Sequence, residues 1–111
     1  MDIPAGFDPA LHAPARLQIA AVLAQASEAE FSLLKDVTGS SDSVMSKHLT
    51  ALAEAGYVSV RKAASSGRQR TWASLTSTGR KAFKRHVKAL EQLVASVASD
   101  EGPAGEVRKR A

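Results

Sequence analysis

The spacing of apolar and polar residues predicts two helices in the first third of the chain. The first helix is predicted to begin near Pro14, because proline is favoured at the first position of a helix. Its apolar residues form a broad surface, which indicates a well-buried helix: Leu17, Ile19, Ala20, Val22 and Leu23. A short second helix is predicted over residues 33–37, since Ser32 can cap its start and Gly39 can end it in the left-handed conformation.

A third helix is predicted over residues 43–55. The polar cluster at residues 40–43 can cap this helix but cannot easily prolong the second one. The apolar residues of the third helix have the spacing of one buried stripe: Met45, Leu49, Leu52 and Ala53. Gly56 is expected to end the helix. Two helices joined by a tight turn have the pattern of a helix-turn-helix, whose later helix lies in the major groove of DNA.

The period of the pattern changes to two after Gly56. Residues 57–62 and 70–75 are predicted to form two strands, because apolar and polar residues alternate there. The Ser-Ser-Gly segment at residues 65–67 is a turn signal between them. The pair is therefore predicted to form a β-hairpin with a basic tip.

A long helix is predicted to close the fold over residues 77–99, with Thr76 or Ser77 as its cap. Its apolar residues are spaced as in a heptad seam. The first part of this seam could pack on the first helix as ordinary core. The seam extends past the point where so small a core should end, so a dimer contact is favoured. The predicted dimer residues are Phe83, Val87, Leu90, Leu93, Val94 and Val97.

These elements predict a mainly α fold with a small β-hairpin wing, which is a winged helix-turn-helix with a long C-terminal helix. The predicted organisation is an irregular N-terminal arm at residues 1–10, one domain over residues 11–99 and a disordered tail at residues 100–111. A domain of this size is expected to be marginally stable alone, which also favours a partner subunit.

Basic residues are concentrated in the second half of the chain, and the formal net charge is +4. Residues 1–30 hold four acidic residues and one basic residue, whereas residues 58–88 hold nine basic residues and no acidic one. A stretch of one sign attracts polyanions and raises their rate of encounter, so nucleic acid is the expected partner. The alternative is a basic face that is merely solvated.

The third helix offers short polar side chains and a cation, which suit the edges of base pairs. Ser43, Lys47 and Thr50 share one helical face, and Val44 beside them could contact a thymine methyl group. The hairpin tip adds side chains that could reach phosphates or enter a minor groove. The predicted DNA-binding residues are Ser41, Ser43, Val44, Ser46, Lys47, His48, Thr50, Lys62, Arg68, Gln69 and Arg70.

Several short runs within residues 11–93 carry a family resemblance. They are His-Ala-Pro-Ala-Arg-Leu-Gln-Ile (12–19), Phe-Ser-Leu-Leu (31–34), Ser-Lys-His-Leu (46–49), Leu-Ala-Glu-Ala-Gly-Tyr-Val (52–58) and Leu-Thr-Ser-Thr-Gly-Arg (75–80). Through them the chain resembles the winged helix-turn-helix regulators of the MarR and ArsR type, and most closely their compact stand-alone group. The resemblance implies a short strand near Glu30 that pairs with the wing. It also implies operator binding as a homodimer through the terminal helices.

Composition excludes several other classes of function. The chain has no cysteine, which excludes disulfides and thiolate metal sites and fits a reducing cytosol. His12, His48 and His86 lack metal-site spacing and the serines lack a placed base, so no metal, other cofactor or enzymatic activity is expected. No signal peptide or membrane span is expected. Any effector is expected to be small and apolar or amphipathic. A winged-helix module that binds another protein is the alternative to a DNA-binding regulator.

Overall fold

A computed structural model describes residues 3–100 of the protein, with side chains up to residue 98. The elements run in the order α1 Pro9–His12, α2 Pro14–Ala24, β1 Ala29–Glu30, α3 Phe31–Thr38, α4 Asp42–Glu54, β2 Val58–Ser65, β3 Arg68–Leu75 and α5 Ser77–Asp100. The strands form one antiparallel sheet in the order β1-β3-β2. This is the predicted fold class. Apart from residue 100, the predicted tail lies outside the described residues. Within residues 3–100, no helix is long and apolar enough to cross a membrane.

The two helices before the sheet both begin at prolines. α2 begins at Pro14 as predicted, because the fixed backbone of proline suits the first helical position. The sequence predicts an irregular arm up to residue 10, and this prediction is wrong for its last two residues, because the short helix α1 begins at Pro9. Its cause is local: Pro9 stands first in the helix, and Asp8 Oδ1 accepts the N–H of Ala10 at 2.9 Å.

α3 begins two residues earlier than predicted, because its N-cap residue is Glu30. Glu30 pairs with Trp72 on β3, and this pairing holds its backbone extended so that the helix begins directly after it. The predicted cap at Ser32 is therefore wrong, whereas the strand implied near Glu30 is confirmed as β1. The predicted stop is also confirmed, since Gly39 has a φ of 68° and donates its N–H to the Lys35 carbonyl at 2.8 Å.

α4 is closed at both ends by residues of the kind that the sequence indicates. At its start, Ser41 Oγ accepts the N–H of Val44 at 3.3 Å. At its end, Gly56 has a φ of 82°, and the N–H of Tyr57 donates to the Leu52 carbonyl at 2.9 Å in a Schellman arrangement. The end of α4 is therefore fixed by backbone hydrogen bonds at Gly56 and Tyr57.

The core lies between α2, α3, α4 and the inner face of the sheet. Met45, Leu49 and Leu52 form the predicted buried stripe of α4. Ala53 does not belong to this stripe, because it lies roughly 100° around the helix from Leu52 and lines a cleft beside the wing. The large side chains that are fully buried, among residues 3–98, are Leu11, Ile19, Leu23, Leu34, Met45, Leu52 and His86.

The wing hairpin is longer and tighter than predicted, with eight residues in each of its strands. Ser65 pairs with Arg68, so Ser66 and Gly67 alone form the turn. Their φ angles of 54° and 75° match a type I′ turn, whose twist suits the strands of a hairpin. Residues predicted to lie in a loop therefore continue the ladder.

α5 packs on the core through a stripe one position away from the predicted seam. Its buried residues, within residues 77–98, are Gly79, Ala82, His86 and Ala89. Phe83 is half-buried and packs against the core. The later seam residues turn outward: Val87, Leu90 and Leu93 are half-buried, whereas Val94 and Val97 are 69% and 41% exposed.

Candidate nucleic-acid interface

The exposed side of α4 brings together the helix residues predicted to contact DNA. Ser43, Ser46, Lys47 and Thr50 are all exposed, and the apolar side chain of Val44 beside them is 43% exposed. The buried stripe holds the opposite side of the helix against the core. This face therefore presents three hydroxyl groups, one ammonium group and one branched apolar side chain to a ligand.

The turn before α4 is held by short polar contacts. Ser41 Oγ caps the helix and lies 3.4 Å from Ser43 Oγ. Asp42, in the first turn, forms an ion pair with Lys35 of α3, which ties the two helices of the helix-turn-helix together. An acidic residue is also favourable here, because the start of a helix carries partial positive charge.

His48 is separated from the other predicted DNA-binding residues of α4. It is half-buried, and its Nδ1 accepts a hydrogen bond from Arg16 Nε on α2 at 3.2 Å. Arg16 also donates to the Ala10 carbonyl at 3.4 Å. Burial and the charge of Arg16 both lower the pKa of His48. His48 is therefore a neutral bridge between α4 and α2 near neutral pH.

The register of the hairpin divides the four predicted wing residues between two faces. Lys62 lies opposite Thr71, and Gln69 lies opposite Ala64, so these side chains share one face of the sheet. Arg68 and Arg70 occupy the alternate positions and point to the other face. The sequence places all four in one basic tip, and the structure separates them in pairs.

Of the four predicted wing residues, Lys62 is the one that lines a cleft together with α4. This cleft has a volume of about 570 Å³, and Leu49 and Val60 supply part of its apolar lining. Ser46, Thr50 and Lys62 stand among its polar lining residues. Thr71 also lines the cleft and was not indicated by the sequence, because its position opposite Lys62 depends on the register of the hairpin.

Two arginines of the basic stretch are paired with acidic residues from the β1 region. Arg70 Nη1 donates to both carboxylate oxygens of Glu30, at 3.0 and 2.9 Å, and so braces β1 against β3. Arg61 Nε donates to Glu28 Oε2 at 2.9 Å, and its guanidinium lies 5.4 Å from the centre of the Trp72 ring. The hydrogen bond from Arg61 lowers the pKa of Glu28.

Arg80 also serves the fold. Its guanidinium donates to the carbonyls of Ala24 and Leu23 at the end of α2, at 3.1 and 3.5 Å. The unbroken run of basic residues therefore overstates the charge available to a ligand. Seven of its nine members are exposed, and one of these, Arg61, is paired with Glu28. The other six are Lys62, Arg68, Lys81, Lys84, Arg85 and Lys88.

The Leu-Thr-x-x-Gly-Arg run fixes the start of α5 against the end of α4. Thr76 donates its N–H to the Tyr57 carbonyl at 3.0 Å and its hydroxyl to the Gly56 carbonyl at 2.6 Å. The Thr76 hydroxyl oxygen also accepts the N–H of Gly79 at 2.9 Å and caps α5. Gly79 packs directly on Tyr57, and a Cβ on Gly79 would lie 2.8 Å from the Tyr57 carbonyl carbon.

This arrangement is that of a winged-helix DNA-binding domain. The family model described as a winged helix DNA-binding domain matches residues 15–94, so the chain belongs to that family. An uncharacterised protein of Methanocaldococcus jannaschii is 35% identical over 78 residues, which cover 70% of this chain and 85% of that protein.

Solved structures with the same fold include transcription regulators. A transcriptional regulator homologue from Pyrococcus horikoshii OT3 superposes with a TM-score of 0.73 and 26% identity, over 79% of this chain and 87% of that one. BpsR of Bordetella bronchiseptica, whose DNA binding is regulated by 6-hydroxynicotinic acid, superposes with a TM-score of 0.64 and 16% identity. That match covers 93% of this chain and 77% of BpsR.

Proposed function

We propose that the protein regulates transcription by binding a specific duplex operator as a homodimer. The observation that carries the proposal is the exposed polar face of α4, which stands beside Lys62 of the wing in a DNA-binding fold. α4 enters the major groove, and the wing contacts the phosphate backbone or the minor groove.

The side chains of α4 suit the reading of base edges. Lys47 can donate to the acceptors of a guanine, and the hydroxyl groups of Ser43, Ser46 and Thr50 can accept or donate to any base. Val44 can pack on a thymine methyl group. These five residues require no change of the fold to reach a groove, because all of them are already exposed.

The wing residues divide between contact and support. Lys62, Arg68 and Gln69 are exposed and are proposed to contact the DNA. Arg70 is held by Glu30 and braces the wing, and His48 is held by Arg16 and positions α4. Arg70 and His48 are therefore proposed to support the DNA-binding face without contacting the DNA themselves.

The dimer contact is proposed to lie on the outer face of α5. Val87, Leu90 and Val94 line a shallow apolar hollow there, and Val97 continues the same face. A two-fold axis presents the same stripe from both subunits, so one stripe is sufficient. The two copies of α4 would then face successive major grooves, with half-sites about 10 base pairs apart.

The test is an anisotropy titration with a duplex selected from a random library by the wild-type protein. Lys47→Ala is expected to lose about 1–3 kcal/mol of discrimination at one base-pair position. Arg68→Ala is expected to weaken binding evenly across sequences and to reduce the slope of affinity against salt by about one. Lys88→Ala, at an exposed position on α5, is the control and should retain wild-type affinity.

Selection of no preferred duplex, together with absence of salt-sensitive binding, would refute the DNA-binding proposal. A winged-helix module that binds another protein would then be the better description. If Lys47→Ala and Arg68→Ala both kept the affinity and the discrimination of the wild type, the protein would still bind DNA. Its DNA-binding face would then lie elsewhere.

A small amphipathic acid is proposed as the effector. The cleft between α4 and the wing lies within the size range of small-molecule sites, and Lys62 among its lining residues could pair with a carboxylate. The regulation of BpsR by 6-hydroxynicotinic acid supports this chemical class. Occupancy of the cleft would compete with DNA, so this acid should lower operator affinity in the wild type and not in Lys62→Ala. An equal response in both proteins would refute this site.

A further inference from the structure

His86 is a buried histidine of α5 that the proposed DNA-binding face does not use. Its side chain has no exposed surface. Its Nδ1 accepts the backbone N–H of Asp8 at 2.8 Å, although the two residues are 78 positions apart. Its Nε2 is also buried and has no hydrogen-bond partner among the described residues. Because Nδ1 accepts, the neutral ring carries its one proton on Nε2.

The N-terminal arm, which in the following means residues 3–12, covers this histidine. The centres of the Phe7 and His12 rings lie 5.0 and 5.8 Å from the centre of the His86 ring. Gly6 approaches α5 so closely that a Cβ there would lie 3.1 Å from the Arg85 carbonyl oxygen. The arm is thus docked on α5 along several consecutive residues, with His86 beneath it.

Asp8 extends this contact to the end of α4. Its Oδ2 accepts a hydrogen bond from the Tyr57 hydroxyl, and its Oδ1 caps α1. The Tyr57 carbonyl in turn accepts the N–H of Thr76 at the start of α5. One residue of the arm therefore joins α1, α5 and the junction between the sheet and α4.

We propose that His86 and Asp8 form an acid-sensitive latch that fastens residues 3–12 to α5. A protonated His86 carries an N–H on both ring nitrogens, so Nδ1 can no longer accept the amide of Asp8. Two donors would then face each other in a site closed to solvent, and the buried charge would lie beside His12. The latch is closed when His86 is neutral, and protonation releases the arm.

The groups around His86 set the direction of the response. Burial and then the neighbouring His12 lower its pKa, and the Asp8 carboxylate opposes them. Tyr57 is a further titratable group in these surroundings. Its hydrogen bond to Asp8 is the main cause that raises its pKa, and the charge of Arg85 opposes this rise. Since the pKa of His86 is lower when the arm is docked than when it is undocked, the undocked state binds more protons as the pH falls. Docking is therefore strongest above the ordinary histidine pKa of about 6.5 and weakens as the pH falls below it.

The test is amide hydrogen exchange by NMR on the full chain, from about pH 7.5 to about pH 4.5, on both sides of the ordinary histidine pKa. The protection factor of the Asp8 amide should fall about tenfold for each unit by which docking depresses the His86 pKa. The Tyr57 amide, which donates to the Leu52 carbonyl inside the fold, is the internal control and should stay protected. The His86 ring signals should titrate with the same midpoint as the loss of Asp8 protection.

His86→Asn is the matched variant, because its side-chain oxygen can accept the Asp8 amide but does not titrate. It should keep Asp8 protected across the whole pH range, and it retains His48 as the other histidine with a lowered pKa. An acid response in His86→Asn equal to that of the wild type would overturn the latch. If this variant does not fold, the wild-type protein alone still tests the latch. A loss of Asp8 amide protection whose midpoint pH differs from that of the His86 ring titration would also overturn the latch.

Discussion

The two halves of α5 have similar apolar spacing but different surroundings. In the first half, Ala82, His86 and Ala89 are buried, and Gly79 lies against the backbone of Tyr57. In the second half, Val94 is 69% exposed although it continues the heptad seam. The first half is an internal element of the domain, whereas the second half offers an uncovered face.

The difference follows from side-chain size. Glycine or alanine occupies three of the four inner positions of the first half, where close packing favours small side chains, and His86 is the one large side chain among them. The larger residues Val87, Leu90 and Val94 lie on the outer face. Spacing alone therefore identifies an apolar helix, and the positions of its small residues indicate which stripe faces inward.

The largest expected effect is that of Gly79→Ala in the packed half. Alanine is intrinsically favoured over glycine in a helix by about 1 kcal/mol. Here the added Cβ would overlap the Tyr57 carbonyl, which cannot yield easily because it accepts the N–H of Thr76. We expect the cost of this overlap to exceed the helix preference for alanine. The free energy of unfolding should therefore fall by about 3 kcal/mol, at the upper end of overpacking costs, and urea denaturation measures this free energy.

Thr78→Ala is the control for this change, because Thr78 is the exposed neighbour on the same turn. It should leave the free energy of unfolding within about 0.5 kcal/mol of the wild type. A Gly79→Ala protein as stable as the wild type would show that the junction can relax. The contrast between a rigid first half and an open second half would then fail.

The contrast within α5 also shows where sequence reasoning succeeds. Local signals predict the start of α2 at Pro14 and the ends of α3 and α4 at Gly39 and Gly56, since each depends on one residue's backbone preference. The Asp8-Pro9 signal for α1 is of the same local kind and was available in the sequence.

Contacts between distant residues could not be predicted in this way. Arg70 pairs with Glu30 across 40 positions, and His86 accepts from Asp8 across 78. Both partners must be brought together by the complete fold before either contact exists. For the same reason, the basic stretch appeared fully available to DNA, although several of its arginines are engaged within the fold.

The second expected effect tests the open half directly. Leu90→Asp combined with Val94→Asp would place four like charges in the proposed seam, two from each subunit. We expect a folded monomer whose operator affinity falls about a hundredfold or more, because the two DNA-binding units no longer act as one. Sedimentation velocity at micromolar concentration measures the oligomeric state, and the anisotropy titration measures the affinity.

Lys88→Ala combined with Gln92→Asp is the matched control. It lowers the net charge by the same two units, and both positions are exposed on the opposite side of α5 from Leu90. This control should remain dimeric. A monomeric wild type, or a Leu90→Asp, Val94→Asp protein that is still a dimer, would remove the outer face of α5 as the dimer contact.

The smallest expected effect returns to the packed half, at Arg80. Its guanidinium donates to the carbonyls of Ala24 and Leu23, which are left without partners in the helix where α2 ends. Arg80→Gln should lower the free energy of unfolding by about 1.5 kcal/mol, the lower end of the range for hydrogen bonds to a charged group, and should leave the proposed dimer intact. Lys81→Gln removes the same charge from the exposed neighbouring position and should be nearly neutral for stability. If instead the two variants were equally stable but Arg80→Gln alone lost operator affinity, Arg80 would belong to the DNA-binding face. The division of α5 into a structural half and an interaction half would then have to be redrawn at its first turn.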